Sequence, residues 1–425
     1  MAGTSLYEEL LSSIKEMPVV DIHNHLNPEA LSPRGIDDII FYHYIVTELA
    51  TAGMPWKELE ELRGVERLRR ALSYLGSIRN TSTYWCLMQI LRELYGFKGK
   101  YIDQGNWSEV VKLIEAAVGD EKRALELLKK KVPVKKSLLT LQPFEPIPKY
   151  DQELFTGALR MDPLLPNLNP ATLRRFEEVV GVEVRTPDDL AEGIKALIKK
   201  FEGHIAALTV GIQPDDDFVA SGARPSDAKP YIENLKKGAS LEPLGRRILN
   251  SFILEELANI ASERKLVLQL MVGVKRPVPG ASPPDYAIVM YSPRQVLDIA
   301  LFLSRHPDTR FDLIHADPLL NHQLAVVAKN YPNAFLSGYW WFSMYPEFIS
   351  LYIRTRLQML PYTKTSGFFS DAYVADWVYG KAALAKKELA RTLATMVEEG
   401  YIDKELALEI AEALLHGNAE RLYRL

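Results

Sequence analysis

The sequence contains only one cysteine, Cys86, among its 425 residues. A single thiol cannot form an internal disulfide, which excludes a disulfide-stapled secreted domain. Cys86 lies in the apolar, helix-like stretch TYWCLMQIL. This setting predicts a core position rather than a reactive thiol.

Long hydrophobic runs are also missing. No stretch of about 18 consecutive apolar residues occurs, so the sequence predicts no transmembrane helix. The first residues carry Glu8, Glu9 and Glu16 where a signal peptide requires an apolar core. From these absences we expect a cytoplasmic protein.

The sequence also lacks an excess of charge of either sign. The chain has 51 Lys and Arg against 55 Asp and Glu, which gives a net charge of −4. This balance excludes the basic surface that nucleic acid or an anionic membrane requires, and we expect neither as a partner. The 47% hydrophobic and 25% charged content is typical of a globular protein with a substantial core.

Eight short apolar runs, most of them separated by helix-like stretches, dominate what remains. Continuous apolar runs of four to eight residues suit parallel strands that are covered on both faces. The pattern predicts an α/β protein, a (β/α)₈ TIM barrel that forms a single domain over 1–425. We expect a helical insertion at about 30–131 and a loop at 213–240 that includes the three aspartates at 215–217. The predicted strands lie at 18–23, 134–140, 156–161, 205–211, 266–273, 311–315, 334–338 and 365–371.

His23 and His25 close the first predicted strand. Side chains two residues apart on a strand point to the same face, so both rings would face the barrel mouth. Active sites of such barrels lie at this end. Two imidazoles at this spacing favour a shared divalent cation, with zinc as the expected ion. The alternative is a pair of polar loop residues without a ligand.

Three other predicted strands end in residues that can carry chemistry: Arg160, His315 and Asp371. Asp371 could bind the metal, act as a base, or do both, and its alternative role is a helix N-cap. His315 could be a ligand or a proton donor. Arg160 could clamp an anionic substrate group, and its alternative role is an ion pair with Asp162.

Several separate segments resemble the uronate isomerase branch of the amidohydrolase superfamily. The similarity covers nearly the whole chain and includes the segment DIHNHLNP and the Arg160-Met161-Asp162 turn. The similar segments lie at 21–28, 41–44, 76–96, 158–164, 339–342 and 417–423.

This resemblance implies a metal-dependent barrel enzyme that binds a small sugar acid, and by analogy a homo-oligomer is expected. His23, His25 and Asp371 match the metal positions of the family. The residues matching its substrate contacts are His43, Tyr44 and Arg160. Trp340 and Trp341 match a motif after the seventh strand and could bind substrate or simply pack in the barrel.

The chain also departs from the isomerase pattern. Tyr373 stands where the family has an arginine two residues after the aspartate, and Met271 stands where it has a histidine. The segment around His315 resembles a hydrolase branch of the same superfamily. The first functional hypothesis is therefore aldose–ketose isomerisation of a hexuronate such as glucuronate or galacturonate, with Tyr373 assisting proton transfer.

Two other hypotheses remain. In a hydrolase of an amide, ester or lactone, a metal-activated water would attack, Asp371 would accept its proton and His315 would steady the oxyanion. A scaffold without turnover would require a broken metal site, which His23, His25 and Asp371 argue against.

Overall fold

Ten strands account for the β structure of the described residues. The computed structural model describes residues 5–215, 218 and 221–425, so Asp216 and Asp217 of the predicted loop lie outside the described residues. The strands are β1 (Val19–Asn24), β2 (Val134–Leu141), β3 (Phe155–Arg160), β4 (Ile205–Ile212), β5 (Val267–Val272), β6 (Val274–Lys275), β7 (Ile288–Val289), β8 (Arg310–His315), β9 (Ala334–Ser337) and β10 (Thr365–Ser366).

Helices connect and surround these strands. Apolar residues at three- and four-residue spacing give most of them one buried face, which packs toward the sheet or a neighbouring helix. The helices are α1 (Leu6–Glu16), α2 (Ile36–Ile40), α3 (His43–Thr51), α4 (Trp56–Glu61), α5 (Gly64–Leu75), α6 (Ser82–Tyr95), α7 (Trp107–Glu115), α8 (Glu121–Glu126), α9 (Pro170–Val180), α10 (Pro187–Lys200), α11 (Pro225–Lys236), α12 (Pro243–Glu263), α13 (Pro293–Arg305), α14 (Pro318–Asn330), α15 (Pro346–Met359), α16 (Ala375–Glu398), α17 (Lys404–Glu412) and α18 (Asn418–Tyr423).

Eight of the strands form one parallel sheet in the order β1-β2-β3-β4-β5-β8-β9-β10. The segment after β10 joins the two edges, because Asp371 N donates to His23 O at 3.1 Å and His25 N donates to Ala372 O at 2.9 Å. All side chains of β1 and β5 are buried, as expected for strands covered on both faces. The predicted α/β barrel architecture is confirmed.

The predicted eighth strand is too long. Only Thr365–Ser366 pairs as a strand, with β9, whereas the prediction extended to residue 371. Asp371 has a φ of 53°, in the left-handed region that a strand cannot contain. The chain therefore leaves the sheet geometry before it reaches Asp371.

The predicted loop at 213–240 contains a helix. Helix α11 begins at Pro225, a residue that suits the first turn of a helix. Its buried residues Ala228, Ile232 and Leu235 have helical spacing, which the sequence reading overlooked in this polar segment. Within the described residues, none of the helices combines the length and apolar character needed to span a bilayer.

Helices α2 to α8 lie between β1 and β2, where the helical insertion was expected. Trp377 of α16 ties this insertion to the barrel. Its indole Nε1 donates to Ile39 O at 3.2 Å, and its ring stacks on Tyr42 at 4.1 Å. Cys86 is buried in α6, as predicted, and burial raises the pKa of its thiol to about 12. The insertion is thus held against the segment that carries Asp371.

Candidate active site

His23, His25 and Asp371 meet at the barrel mouth. His23 belongs to β1 and His25 follows it, so their rings lie on one side, with centroids 5.1 Å apart. The Nε2 atoms of His25 and His23 lie 3.3 Å and 3.8 Å from Asp371 Oδ1. One ligand atom from each of the three residues lies within 4.8 Å of the others. The sequence-predicted metal residues are therefore brought together.

The backbone of Asp371 is fixed from two sides. Its N–H donates to His23 O at 3.1 Å, and the Tyr42 hydroxyl donates to its carbonyl oxygen at 2.8 Å. These bonds hold a non-glycine residue at positive φ, a conformation that typically costs about 1–3 kcal/mol. Helix α16 begins at Ala375 with Val374 as its N-cap, so Asp371 does not have the alternative capping role.

The donor set fits a divalent metal ion. Ligands about 2.0–2.2 Å from a tetrahedral zinc lie about 3.3–3.6 Å apart, close to the distances between Asp371 Oδ1 and the two imidazoles. Burial lowers the pKa of His23 to about 3, so its ring is neutral and able to coordinate. Its Nδ1 is buried and has no hydrogen-bond partner among the described residues. These three side chains form a candidate metal site.

Asp371 is ionised in this setting. Burial alone would raise its pKa, but the hydrogen bond from His25 and the neighbouring imidazoles hold the pKa of Asp371 well below its usual range. The Tyr44 hydroxyl donates to Asp371 Oδ2 at 2.7 Å, and His43 Nε2 lies 3.8 Å from the same oxygen. Burial lowers the pKa of His43 to about 3, so this ring is neutral too.

Helix α3 of the insertion supplies His43 and Tyr44 to the pocket, and β3 supplies Arg160. Arg160 Nε donates to Asp162 Oδ2 at 2.7 Å, so the ion pair foreseen as an alternative exists. Asp162 Oδ1 also accepts from Gly211 N at 2.8 Å. Both Arg160 and Asp162 line the pocket, which means that the ion pair anchors Arg160 at the site instead of removing it.

Aromatic side chains complete the wall of this cavity of about 170 Å³. Tyr373 stacks on His25 with ring centroids 5.0 Å apart. Its side chain is 48% exposed, and its partial burial, followed by the charge of Asp371, raises the pKa of its hydroxyl. Trp340 is buried and lines the pocket. The side chain of Trp341 lies outside the described part of the chain.

His315 does not line the pocket, so the structure does not bring it to the candidate metal ligands. Arg356 can only donate, so its Nη2 bonds to His315 Nε2 at 3.0 Å and leaves the ring proton on Nδ1. Nδ1 then donates to Asp317 O at 3.1 Å. Burial, together with the Arg356 charge, holds the pKa of His315 well below its usual range. Both ring nitrogens are therefore engaged in hydrogen bonds within the protein.

Arg276 and Asp285 also line the pocket, and the sequence analysis did not identify them. Both lie in the proline-rich loop between β5 and α13. Burial raises the pKa of Asp285, an effect that the Arg276 charge opposes. The available signal was the position of Arg276 four residues beyond the end of β5, at the mouth of the barrel.

No family model matches the chain. In sequence it is similar to the uronate isomerase of Thermotoga neapolitana, with 21% identity over 463 residues that cover 97% of this chain and 96% of the relative. This likeness extends over nearly the full length of both proteins.

Three solved structures have similar folds. A uronate isomerase from Thermotoga maritima superposes with a TM-score of 0.90 at 16% identity, covering 100% of this chain and 99% of its own. A glucuronate isomerase from Caulobacter crescentus superposes with a TM-score of 0.87 at 20% identity, covering 99% of this chain and 94% of its own. A protein from Lactobacillus casei described as a metal-dependent hydrolase superposes with a TM-score of 0.61 at 16% identity, covering 98% of this chain and 97% of its own. The chain is therefore similar to uronate isomerases in sequence and has their fold.

Proposed function

We propose that the chain is a metal-dependent isomerase that interconverts a hexuronate aldose, such as glucuronate or galacturonate, with its ketose. One observation carries the proposal. A single pocket joins the candidate metal donors His23, His25 and Asp371 to Arg160 and Tyr44, residues suited to a sugar acid. The full-length similarity to uronate isomerases supports the same activity.

Zinc is the ion we propose. Two imidazoles and one carboxylate are donors that zinc accepts, and three protein ligands leave a position open for substrate. When bound, the ion supplies positive charge that polarises the substrate oxygen on which charge develops.

The chain's own residues bind the substrate and move protons. Isomerisation transfers a proton between adjacent carbons. We propose that the ionised carboxylate of Asp371, which lines the pocket, takes this proton from the carbon beside the aldehyde and returns it to the aldehyde carbon. Tyr44 holds Asp371 Oδ2 through its hydroxyl at 2.7 Å. We assign proton donation to the substrate oxygen to the hydroxyl of Tyr373, whose ring stacks on His25. Arg160, anchored by Asp162, binds the carboxylate of the substrate.

Hydrolysis of an amide, ester or lactone is the second candidate. The specific observation in its favour is Tyr373, which takes the place of an arginine in the isomerase pattern and gives no fixed positive charge. In this version Asp371 accepts the proton of the attacking water, and His315 has no part. A cytoplasmic location and a homo-oligomeric state remain predictions.

Proton NMR in D₂O tests the two candidates. Zinc-loaded protein is incubated with glucuronate and with galacturonate, and the signals of the hydrogen beside the aldehyde carbon are followed. We expect ketose to appear, or that signal to be lost by enzyme-dependent exchange. Unchanged spectra with stoichiometric zinc would reject these two substrates, and turnover of a lactone or amide panel would then establish the hydrolase.

A further inference from the structure

A second cavity, of about 520 Å³, lies between helices and away from the barrel mouth. Helices α1, α6 and α16 and the segment that follows α8 form its walls, and we call it the helical cavity. The small side chains of Ala382 and Ala383 on α16 leave room there. Among the described residues, it shares none of its lining with the pocket that holds the candidate metal ligands. The helical cavity is therefore a separate compartment that the proposed function does not use.

Positive charge dominates the lining of the helical cavity, although the whole chain has a net charge of −4. Two glutamates, Glu16 and Glu93, are the acidic members of the lining. Against them stand five lysines, which leave three positive charges in excess: Lys15, Lys130, Lys131, Lys386 and Lys387. This local excess favours an anionic ligand.

The five lysines differ in their partners. Two of them pair with glutamates outside the lining, Lys130 with Glu126 at 3.3 Å and Lys387 with Glu388 at 2.6 Å. When these two glutamates are counted, one positive charge is still in excess. The other three lysines have no carboxylate of the described residues within ion-pair distance: Lys15, Lys131 and Lys386. These three ammonium groups retain their capacity for an anion.

Lys386 is buried, and the backbone of α1 fixes its position. Its Nζ donates to Lys15 O at 2.8 Å and to Met17 O at 2.6 Å, at the end of that helix. An ammonium has three N–H donors, so one remains for a ligand. Burial lowers the pKa of Lys386 to about 8, which leaves the group mostly charged at neutral pH. A buried ammonium without a counter-ion is unfavourable, and a bound anion offsets that cost.

Three half-buried aromatic side chains line the same cavity: Tyr7, Trp85 and Tyr379. Lys387 Nζ lies 5.6 Å from the centre of the Trp85 ring, and Lys131 Nζ lies 5.9 Å from the centre of the Tyr379 ring. Two of the rings therefore have an ammonium group beside them. A ligand that joins a flat ring to an anionic group can stack on such a ring and reach the lysines at the same time.

The size of the helical cavity suits a small molecule, because such sites commonly measure about 300–1,000 Å³. Phosphate groups suit several lysines, which bind them as point charges. We propose that the helical cavity binds a nucleotide, with the base stacked on the aromatic side chains and the phosphates held by Lys15, Lys131 and Lys386. The proposal does not depend on the reaction at the barrel mouth.

Isothermal titration calorimetry with ADP and with its two parts tests this site. ADP, pyrophosphate and adenosine are each titrated into the wild type and into Lys131→Gln, Trp85→Leu and Lys129→Gln. Lys129 is the matched control, because it belongs to the same run of lysines but pairs with Asp151 at 3.2 Å and does not line the helical cavity. Circular dichroism checks the fold of each variant, and Tyr379→Leu replaces Trp85→Leu if the latter does not fold.

We expect one ADP to bind per chain, at least about tenfold more tightly than pyrophosphate or adenosine. Lys131→Gln should raise the Kd for ADP and for pyrophosphate about tenfold, the effect of losing one charge-assisted interaction. Trp85→Leu should raise the Kd for ADP about tenfold, because a stacking surface is lost, and change that for pyrophosphate less than about threefold. Lys129→Gln should change every Kd less than about threefold.

Three results would overturn the proposal. The first is the absence of ADP binding at millimolar concentration. The second is equal affinity of Lys131→Gln and wild type for ADP, because the nucleotide would then bind elsewhere, for instance to a metal ion at the barrel mouth. The third is pyrophosphate that binds as tightly as ADP, since this would exclude a role for the aromatic rings and with it a nucleotide.

Discussion

Histidines stand at the carboxyl ends of both β1 and β8, yet the two ends have opposite chemistry. At β1, His23 and His25 face the carboxylate of Asp371 across the pocket. At β8, the neutral ring of His315 faces Arg356, a positively charged group that can donate hydrogen bonds but cannot accept them. At β1, ring nitrogens and carboxylate oxygens remain able to bind a cation. At β8, the ring nitrogens of His315 are used in hydrogen bonds within the protein.

The comparison shows that the end of a barrel strand does not by itself assign a role. What decides is the charge of the side chain that the next elements place opposite the imidazole. Asp371 follows β10 and neighbours β1, while Arg356 arises from α15 and closes over β8. We expect the carboxylate to favour a cation beside His23 and His25, whereas the guanidinium holds His315 in hydrogen bonds within the protein.

The largest expected effect is a difference in bound metal between variants at the end of β1 and a variant at the end of β8. His23→Ala combined with His25→Ala removes two of three ligands, so we expect metal bound at stoichiometry to fall to a background level with the fold retained. His315→Leu should retain its metal. Metal analysis after gel filtration, with circular dichroism as the folding control, measures both. Full occupancy in the double variant would show that the ion binds elsewhere.

The second prediction concerns Asp312, a buried residue of β8 whose Oδ2 accepts from the Tyr423 hydroxyl. Burial raises its pKa to about 6 from an ordinary value of 3.8. The folded state therefore binds a proton more tightly than the unfolded state. The resulting stabilisation is complete below about pH 4 and is lost as the pH rises through 6. It amounts to about 3 kcal/mol.

Asp312→Asn should remove this pH dependence. Urea unfolding of the variant and the wild type at pH 4.5 and pH 7 provides the measurement. As the pH rises from 4.5 to 7, we expect the free energy of unfolding of the wild type to fall relative to that of the variant. A difference that stays constant would mean that Asp312 titrates alike in both states.

The smallest expected effect sharpens the structural role of His315. His315→Leu leaves Arg356 Nη2 without its acceptor at 3.0 Å, in a buried position. The free energy of unfolding should fall by about 1–2 kcal/mol, the cost of one unsatisfied buried donor. Urea denaturation gives this number, and turnover of the folded variant should remain near that of the wild type. A large loss of turnover with unchanged stability would instead give His315 a part in the chemistry.

Much of the fold could be predicted because each barrel strand is a short apolar run. The meeting of His23, His25 and Asp371 could be anticipated as well, because parallel strands bring their carboxyl ends to one mouth. The irregular path after Ser366 could not, since the left-handed Asp371 depends on bonds to His23 and Tyr42.

Arg276 and Asp285 were missed for a similar reason. Their loop reaches the pocket only because Pro283 and Tyr286 bond to the distant helices α3 and α4. Local sequence reveals nothing of such contacts. The hydrogen bond to His315 Nε2 likewise comes from Arg356, which lies 41 residues further along the chain.

Titration of metal-free protein with zinc shows whether the proposed isomerisation depends on a metal ion. Chelator-treated wild type is supplied with increasing zinc, and ketose formation from the hexuronate is measured at each step. We expect negligible turnover without metal, then a linear rise that saturates near one ion per chain. Ketose formation at full rate in the metal-free protein would show that the isomerisation needs no metal.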